Sequence, residues 1–555
     1  MPDTRTEIKM SVEDHGEVTV PLRTTPLVVL EQIGVKTEYP VIAARVNNKV
    51  RELKSPLEAD GRLAFVTMDT RDGMSVYRRS LAFIMIRAAR EAFNNARVHV
   101  RHSLSKGYYC DIDLGRTLEP KDLETLDKRM RELVDADEPF IRQEIKVKEA
   151  LRLFEEDGQH DKVGILKYRK EDTVSIYRLG GYLDYFYGCL APSTGFIKRF
   201  ELRYYPPGFI LRFPLDPDPS EIPPFEEQKK MAEIFREYVH WGSIMGIDNV
   251  GLMNQIVERK ESRRITRVAE ALHEKKMAQI ADMIAEKVTR PRLVLISGPS
   301  GSGKTTFSKR LAIQMSVNGL KNVTLSLDNY FLDRDETPRD ETGEYDFEAP
   351  DALDLDLLNH QLLDLIAGKE VKIPRFSFKS GRRVGSRRFR LEHDQILILE
   401  GIHALNPIVT PSIPAIMKFE IYVSALTQLN IDDHNRVPTT DTRKLRRIVR
   451  DNLFRGYTAL DTLIRWESIT RGENLYIFPY QEEADVMFNS SLVYELCVLK
   501  TYAEKLLRQI QDDVEEYAEA RRLLRFLSYF LEVPSDEVPR NSILREFIGG
   551  SIFKY

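Results

Sequence analysis

Cysteine is scarce. Cys110, Cys189 and Cys497 are the only three in 555 residues, and none forms a C-x-x-C pair. That argues against a disulfide framework or a cysteine metal centre and fits a reducing compartment. Long apolar runs are also missing. The most apolar short stretch, Leu81–Ile86, stops at Arg87, far short of the roughly 20 residues a span needs. The opening residues, MPDTRTEIKM, carry no apolar segment of the secretory kind. The expectation is a cytoplasmic chain with no membrane partner. An excess of one charge is absent as well, since 82 Lys and Arg face 86 Asp and Glu. Such balance gives no sign of a nucleic-acid coat, while local basic patches stay open. Length is what the chain has. At about 150 residues per domain, it holds three or four units.

From about Val18 to Thr70 the sequence is β-rich, with strand-like VTVPL, PVIAARVNNKV and RLAFVTM, a turn at Asn47-Asn48, and a helical TPLVVLEQI between the first two strands. A small α+β module is expected. Past Asp72-Gly73, residues 76–93 have helical spacing, and RVHVRHSL with GYYCDIDL alternates like paired strands. A capped helix is expected over 119–135, a strand over 143–145, a helix over 147–156, and a turn-rich loop over 184–195. Arg78, Arg79, Arg87, Arg90, Arg101 and His102 make a locally basic stretch, read as a solvated face. The run FPLDPDPSEIPPF at 213–225 reads as an extended linker. Helices over 226–240 and 263–288 follow, the latter read as a connector between halves.

Leu293–Thr306, LVLISGPSGSGKTT, carries the strongest signal. An apolar strand runs into Gly298, Pro299, Ser300, Gly301, Ser302, Gly303, Lys304 and Thr305, and a helix opens at Thr306. Strand, glycine-rich loop and helix are the context that the G-x-x-x-x-G-K-[ST] pattern needs. The glycines free the backbone so that several N–H groups can face an anion. Lys304 then reaches the β/γ-phosphates of ATP, and the Thr305 hydroxyl is placed for Mg²⁺.

Beyond the loop, NVTLSL ends at Asp328, and VKIPRF, QILILEG, FEIYVS and ADVMFN continue a βα-crossover pattern. That implies a mostly parallel sheet with helices on both faces and ligands at the C-terminal strand ends. Asp328 and Glu400 fall there. Glu400 can hold Mg²⁺ or orient the attacking group, and Asp328 can accept a proton from a substrate hydroxyl. Arg447 and Arg450 lie three apart in a helical run ending at Gly456, as a lid closing over the transferring phosphoryl would. The tail from 494 has a helical run over 503–531, then SILREFIGGSIF, and shows no chemistry of its own.

GPSGSGKTT, SLDNYF, YDFEAPDALD, KIPRFSF, ILILEGIHAL, RRIVRDNLFRG and EADVMFN together resemble the uridine kinase/phosphoribulokinase family over about 292–496. The resemblance implies that Asp328 is the general base, that Arg447, Arg450 and Arg455 form the lid, and that Asp485 lies near the ATP end. Glu348 stands where uridine–cytidine kinases have an Asp that receives ribose hydroxyls. Phe376 and Gly381 stand where they have base-contacting Tyr and His, and Tyr457 replaces a substrate-side Arg. Phe376 keeps stacking but loses the hydroxyl. The implied acceptor is a nucleoside, with pyrimidine preference left open.

VYRRSLAF, GYYCDIDL, SIYRLGGYLDYFYGCLAPSTG and FELRYY resemble the N-terminal region of threonyl-tRNA synthetases, a TGS domain followed by the second additional (editing) domain, over about 18–215. Arg79 and Phe83 replace that family's helical His pair, and Phe186 and Leu190 replace its loop Cys and His. None of the four keeps the family's ligand type, so neither deacylation nor metal binding is expected.

The expected architecture is an α/β P-loop kinase domain preceded by α+β TGS-like and editing-like modules and a helical linker. Its divisions are 1–70, 71–215, 216–290, 291–496 and 497–555. The expected activity is ATP- and Mg²⁺-dependent phosphorylation of a nucleoside 5′-hydroxyl. Two alternatives remain: an RNA-associated regulatory ATPase that binds tRNA through the synthetase-like half, the less favoured partner, and a kinase of another small hydroxyl compound. Oligomeric state is left open.

Overall fold

Alternation in EIKMSV buries Ile8, Met10 and Val12 and exposes the residues between them, which makes Glu7–Val12 a strand. The β-rich stretch expected from about Val18 starts too late to include this strand, which lies within the first division, 1–70. A computed structural model describes residues 6–287, 291–341, 343–427 and 429–554. The chain divides into two compact units. The first takes Met1–Glu227 with Asn249–Gly251 and Asn430–Arg436, and the second takes Gln228–Asp248, Leu252–Leu429 and Val437–Tyr555.

In the first unit, Glu7–Val12 lies between Gly16–Pro21 and Gly61–Thr67 in a five-stranded mixed sheet that continues to Val41–Val46 and Lys49–Arg51. Helix Pro26–Ile33 starts where the Thr25 hydroxyl accepts the Val28 N–H and stops at Gly34 in the left-handed region. Helix Arg71–Ala92 then organises a larger core. It buries most of its residues from Gly73 to Ala89. The core also takes residues of a four-stranded sheet (Glu201–Tyr205, Gly208–Arg212, Gly107–Asp113, Arg97–Leu104) and of a three-stranded one (Tyr182–Asp184, Thr173–Leu179, Ile141–Lys146).

The basic stretch is not a solvated face. Arg87 is buried between Glu91 and Glu138, Arg90 pairs with Asp157, Arg101 pairs with Asp111, and His102 is buried. Helical and strand spacing turn these side chains toward carboxylates from four to 67 residues away, which a linear charge count does not reveal.

The segment Asn430–Arg436 belongs to the first unit although its neighbours in sequence belong to the second. Asp432 accepts from the fully buried Lys162 ammonium at 2.6 Å, and the His434 ring lies 2.7 Å from Asp184. Burial alone would lower the Lys162 pKa, but Asp184, Asp432 and Asp161 hold it above the usual lysine range.

The second unit is built on a parallel five-stranded sheet in the order Asn322–Ser326, Ile396–Glu400, Leu293–Ser297, Lys418–Ser424, Val486–Asn489. The chain moves one way from the first strand to build the second and third, and the other way for the fourth and fifth. Leu293–Ser297 therefore sits at the switch point, where open α/β sheets leave a crevice. One expected strand lies elsewhere. VKIPRF falls in Glu370–Ser377, an antiparallel hairpin with the arginine-rich Arg382–Arg390, outside the parallel sheet. Polar residues alternate along it, as in a strand with an exposed face, whereas the central parallel strands Leu293–Ser297 and Ile396–Glu400 are buried throughout.

Helices Lys229–Met245 and Ser262–Glu286, expected to link the halves, belong to the second unit. The longer one packs on helix Lys304–Val317 and pairs Glu270 and Glu274 with the buried Arg310. The expected end of that helix, Val288, lies outside the described residues. The tail helix expected over 503–531 is two, Glu495–Leu507 and Tyr517–Leu527. No helix among the described residues is long and apolar enough to cross a membrane.

Candidate active site

The phosphate loop leaves the strand Leu293–Ser297 through Gly298 at φ +155°, where a Cβ would stand 1.8 Å from the Val423 carbonyl oxygen. Only glycine permits that approach. The loop feeds helix Lys304–Val317, whose first N–H groups have no partner within the helix. Lys304 is buried, and its ammonium donates to the Gly298 carbonyl at 2.7 Å and the Pro299 carbonyl at 3.1 Å. Burial lowers its pKa, with the negative charges of Glu400, Asp328 and Glu546 opposing. Ser302 and Thr306 are fully buried, and the Ser300 hydroxyl accepts from the Arg447 guanidinium at 2.6 Å.

Two carboxylates stand at the C-terminal ends of neighbouring strands. Glu400 closes the strand Ile396–Glu400 and accepts from the Thr305 hydroxyl at 3.4 Å. Its pKa is pushed up to about 7 by burial and by the charge of Asp328, against the pull of Lys304. Asp328 follows the strand Asn322–Ser326 in a single 3₁₀ turn. Enclosure raises its pKa too, while Arg455, Lys304 and Arg450 hold it back. Charged groups taken out of water are costly unless something compensates them. Among the described residues, no group of three or more His, Cys, Asp or Glu is arranged to hold a metal ion. Two carboxylates and one hydroxyl are a donor set that suits Mg²⁺, which is usually held by few protein groups together with substrate phosphates.

Helix Thr439–Arg455 brings the arginines in and ends at Gly456 in the left-handed region. Arg447, Arg450 and Arg455 converge on one carboxylate, Asp451, at 3.2, 2.8 and 3.6 Å. The Arg455 pKa is lowered to about 10, first by burial and then by the Arg450 charge, against the pull of Asp451. Arg447 also lies 3.7 Å from Glu348, whose pKa burial raises. Phe376 packs with Phe331 and Phe378, with ring centroids 5.5 and 5.3 Å apart, and Arg455 lies over Phe378 at 4.4 Å.

The structure thus brings Lys304, Thr305, Glu400, Asp328, Arg447, Arg450, Arg455, Glu348 and Phe376 into a connected set. It does not bring Asp485 there. Asp485 precedes the strand Val486–Asn489, at the N-terminal end of the sheet, where it lies 3.3 Å from Lys287 and accepts the Glu420 N–H. A four-residue parallel strand, about 13 Å long, separates it from the ligand-facing end.

Sequence reasoning missed several groups. Asp451 lies inside the arginine run and could have been noticed as its counter-charge. Arg443, four residues before Arg447 on the same helix, is fully buried and forks onto Glu473, which also accepts the Ser300 N–H at 3.2 Å. Glu546, in the tail read as free of chemistry, accepts from the Thr306 N–H at 2.9 Å and hydroxyl at 2.7 Å. Nothing local in the sequence marks that residue.

The corresponding place in the first unit is packed shut. Phe83 and Phe186 have ring centroids 5.1 Å apart, Phe83 also stacks on Phe140, and Leu190 is 1 % exposed. Arg79 donates to the Cys189 carbonyl at 3.1 Å. Cys189 is buried, and its thiol is pushed up to about 11, mainly by that burial. Asn435 pins the loop, accepting the Tyr187 N–H and donating to the Tyr185 carbonyl.

The Phosphoribulokinase / Uridine kinase family model matches residues 293–495, so this region is a P-loop kinase domain of that family. The N-terminal region matches threonine–tRNA ligases. A Geobacillus sp. enzyme is 31% identical over 196 residues, 35% of this chain and 30% of its own length. One from Syntrophotalea carbinolica is 35% identical over 194 residues, again 35% and 30%. The chain spans about a third of these relatives. Among solved structures, a possible uridine kinase from Bacillus stearothermophilus is 19% identical, covering 39% of this chain and 98% of its own, with a TM-score of 0.28. A D-glycerate 3-kinase from Cryptococcus neoformans is 16% identical, covering 47% and 89%, with a TM-score of 0.22.

Proposed function

We propose that the second unit transfers the γ-phosphate of ATP to the 5′-hydroxyl of a nucleoside. The observation that carries this reading is the convergence of Lys304, Glu400, Asp328 and three arginines at the C-terminal ends of the parallel strands. Loop amides and Lys304 hold the nucleotide phosphates. Thr305 and Glu400 would hold Mg²⁺, which supplies charge neutralisation on the phosphates. Asp328 takes the proton from the acceptor hydroxyl, and Arg455 beside it limits the rise of its pKa. Arg447 and Arg450 offset the negative charge of the transferring group once Asp451 releases them toward it. Glu348 receives ribose hydroxyls and Phe376 offers a stacking face. Phosphoryl transfer asks mainly for positioning and electrostatics, which these residues supply.

The core of this activity is assigned to 291–496, with 497–555 as an extension. The first unit reads as a TGS-like module over 1–70 and an editing-like module over 71–215. The Phe83–Phe186 contact supports a loss of both metal binding and deacylation there. Three free, buried cysteines support a cytoplasmic setting. The test is ADP release from Mg²⁺-ATP across a panel of nucleosides, sugars and hydroxy acids, with RNA in a parallel arm. A nucleoside response that Asp328→Asn abolishes is expected. Release stimulated by RNA and by no small acceptor would replace the kinase reading with that of a regulatory ATPase.

A further inference from the structure

The tail segment Ser542–Ile548 is seated on the phosphate loop. Ile543, Leu544 and Phe547 are fully buried, and the Arg446 guanidinium lies over the Phe547 ring at 5.0 Å. A Cβ on Gly303, at φ +82°, would stand 2.4 Å from Ile543 Cγ2. The tail thus closes against the loop's last glycine.

Beside that contact, one Glu546 oxygen accepts both the N–H and the hydroxyl of Thr306. Thr306 is the third residue of helix Lys304–Val317. Its N–H is one of the first-turn donors that the helix cannot satisfy and that phosphate loops turn on phosphate oxygens. A carboxylate oxygen in that place has the charge and acceptor character of a phosphate oxygen. It also stands with Asp328 and Glu400 as a third carboxylate acting on Lys304. A triphosphate entering this loop meets an occupied donor.

We propose that Glu546 is an internal competitor for the nucleotide phosphates, so that the Ser542–Ile548 segment must withdraw from the loop before ATP seats fully. The proposal rests on the nucleotide-binding reading of the loop but not on the identity of the acceptor.

The test uses the full chain and a fluorescent ATP analogue with Mg²⁺. Glu546→Ala should bind about tenfold tighter than the unmodified chain, the scale of one charge-assisted hydrogen bond. Unchanged or weaker binding would overturn the proposal and make Glu546 a supporting ligand. Amide exchange on the unmodified chain gives a second readout independent of that variant. Saturation with Mg²⁺ and a non-hydrolysable ATP analogue should speed exchange across 542–548, and unchanged or slower exchange would overturn the proposal. Tight analogue binding without turnover of any nucleoside would leave the competitor standing and remove the acceptor assignment. Failure of both proteins to bind nucleotide would remove both.

Discussion

The phosphate-loop site and the synthetase-like site keep their side chains in opposite states. Around the loop, ionisable groups are enclosed and displaced from their ordinary pKa values: Glu400 and Asp328 upward, Lys304 and Arg455 downward. Around Phe83 and Phe186, rings pack on rings and the remaining cation, Arg79, rests on a carbonyl. A site that awaits a charged ligand leaves desolvation uncompensated until the ligand arrives, whereas a site without one relaxes to ordinary packing. The contrast leaves one candidate catalytic centre among the described residues.

The contrast breaks most sharply at the proton acceptor. Asp328→Asn should lower kcat about 10³-fold while nucleotide binding persists, checked by ADP-release kinetics beside analogue binding. In the other site, a ring matters only for packing. Phe83→Ala should cost about 3 kcal/mol or more, read by denaturant unfolding, because it empties a fully buried position. A residue on the acceptor side should show an intermediate effect. Glu348→Gln should raise the acceptor KM about tenfold and leave the ATP KM unchanged, the signature of one lost charged hydrogen bond.

The smallest effect is on pH dependence. Glu400 binds its proton more tightly folded, with a pKa of about 7, than unfolded, near 4.5. Between those values the native state holds more protons than the unfolded one, so ligand-free stability should fall as pH rises from about 4.5 to about 7. Glu400→Gln should flatten that fall in unfolding curves measured across the window.

Much of the second unit was legible in the sequence because its central parallel strands, Leu293–Ser297 and Ile396–Glu400, are buried on both faces and read as apolar runs that end at a glycine. The phosphate loop, Asp328 and Glu400 sit at the ends of those runs, so their roles followed from topology. Asp485 misled because a strand has two ends, and only the register shows which end a flanking residue occupies. Glu370–Ser377 misled because it is a strand, but its pairing partner, Arg382–Arg390, is not written in its own residues. Glu546 was invisible as a site residue for another reason, since it acts on an amide 240 residues away, whereas Asp451 stood in view inside the arginine run that the helix gathers on it. The first unit's inward-turned arginines teach the same point, since Arg87 and Arg101 look solvated until their carboxylate partners are placed.

The central claim is that the loop site transfers phosphate to a nucleoside while the synthetase-like site does no chemistry. The most direct measurement is Mg²⁺-ATP-dependent formation of a nucleoside monophosphate by the full chain, followed by mass, with unmodified protein beside Asp328→Asn. Product from the unmodified chain and about 10³-fold less from the variant is the expected result. Equal product from both, or ATP hydrolysis that responds to RNA and to no nucleoside, would contradict it.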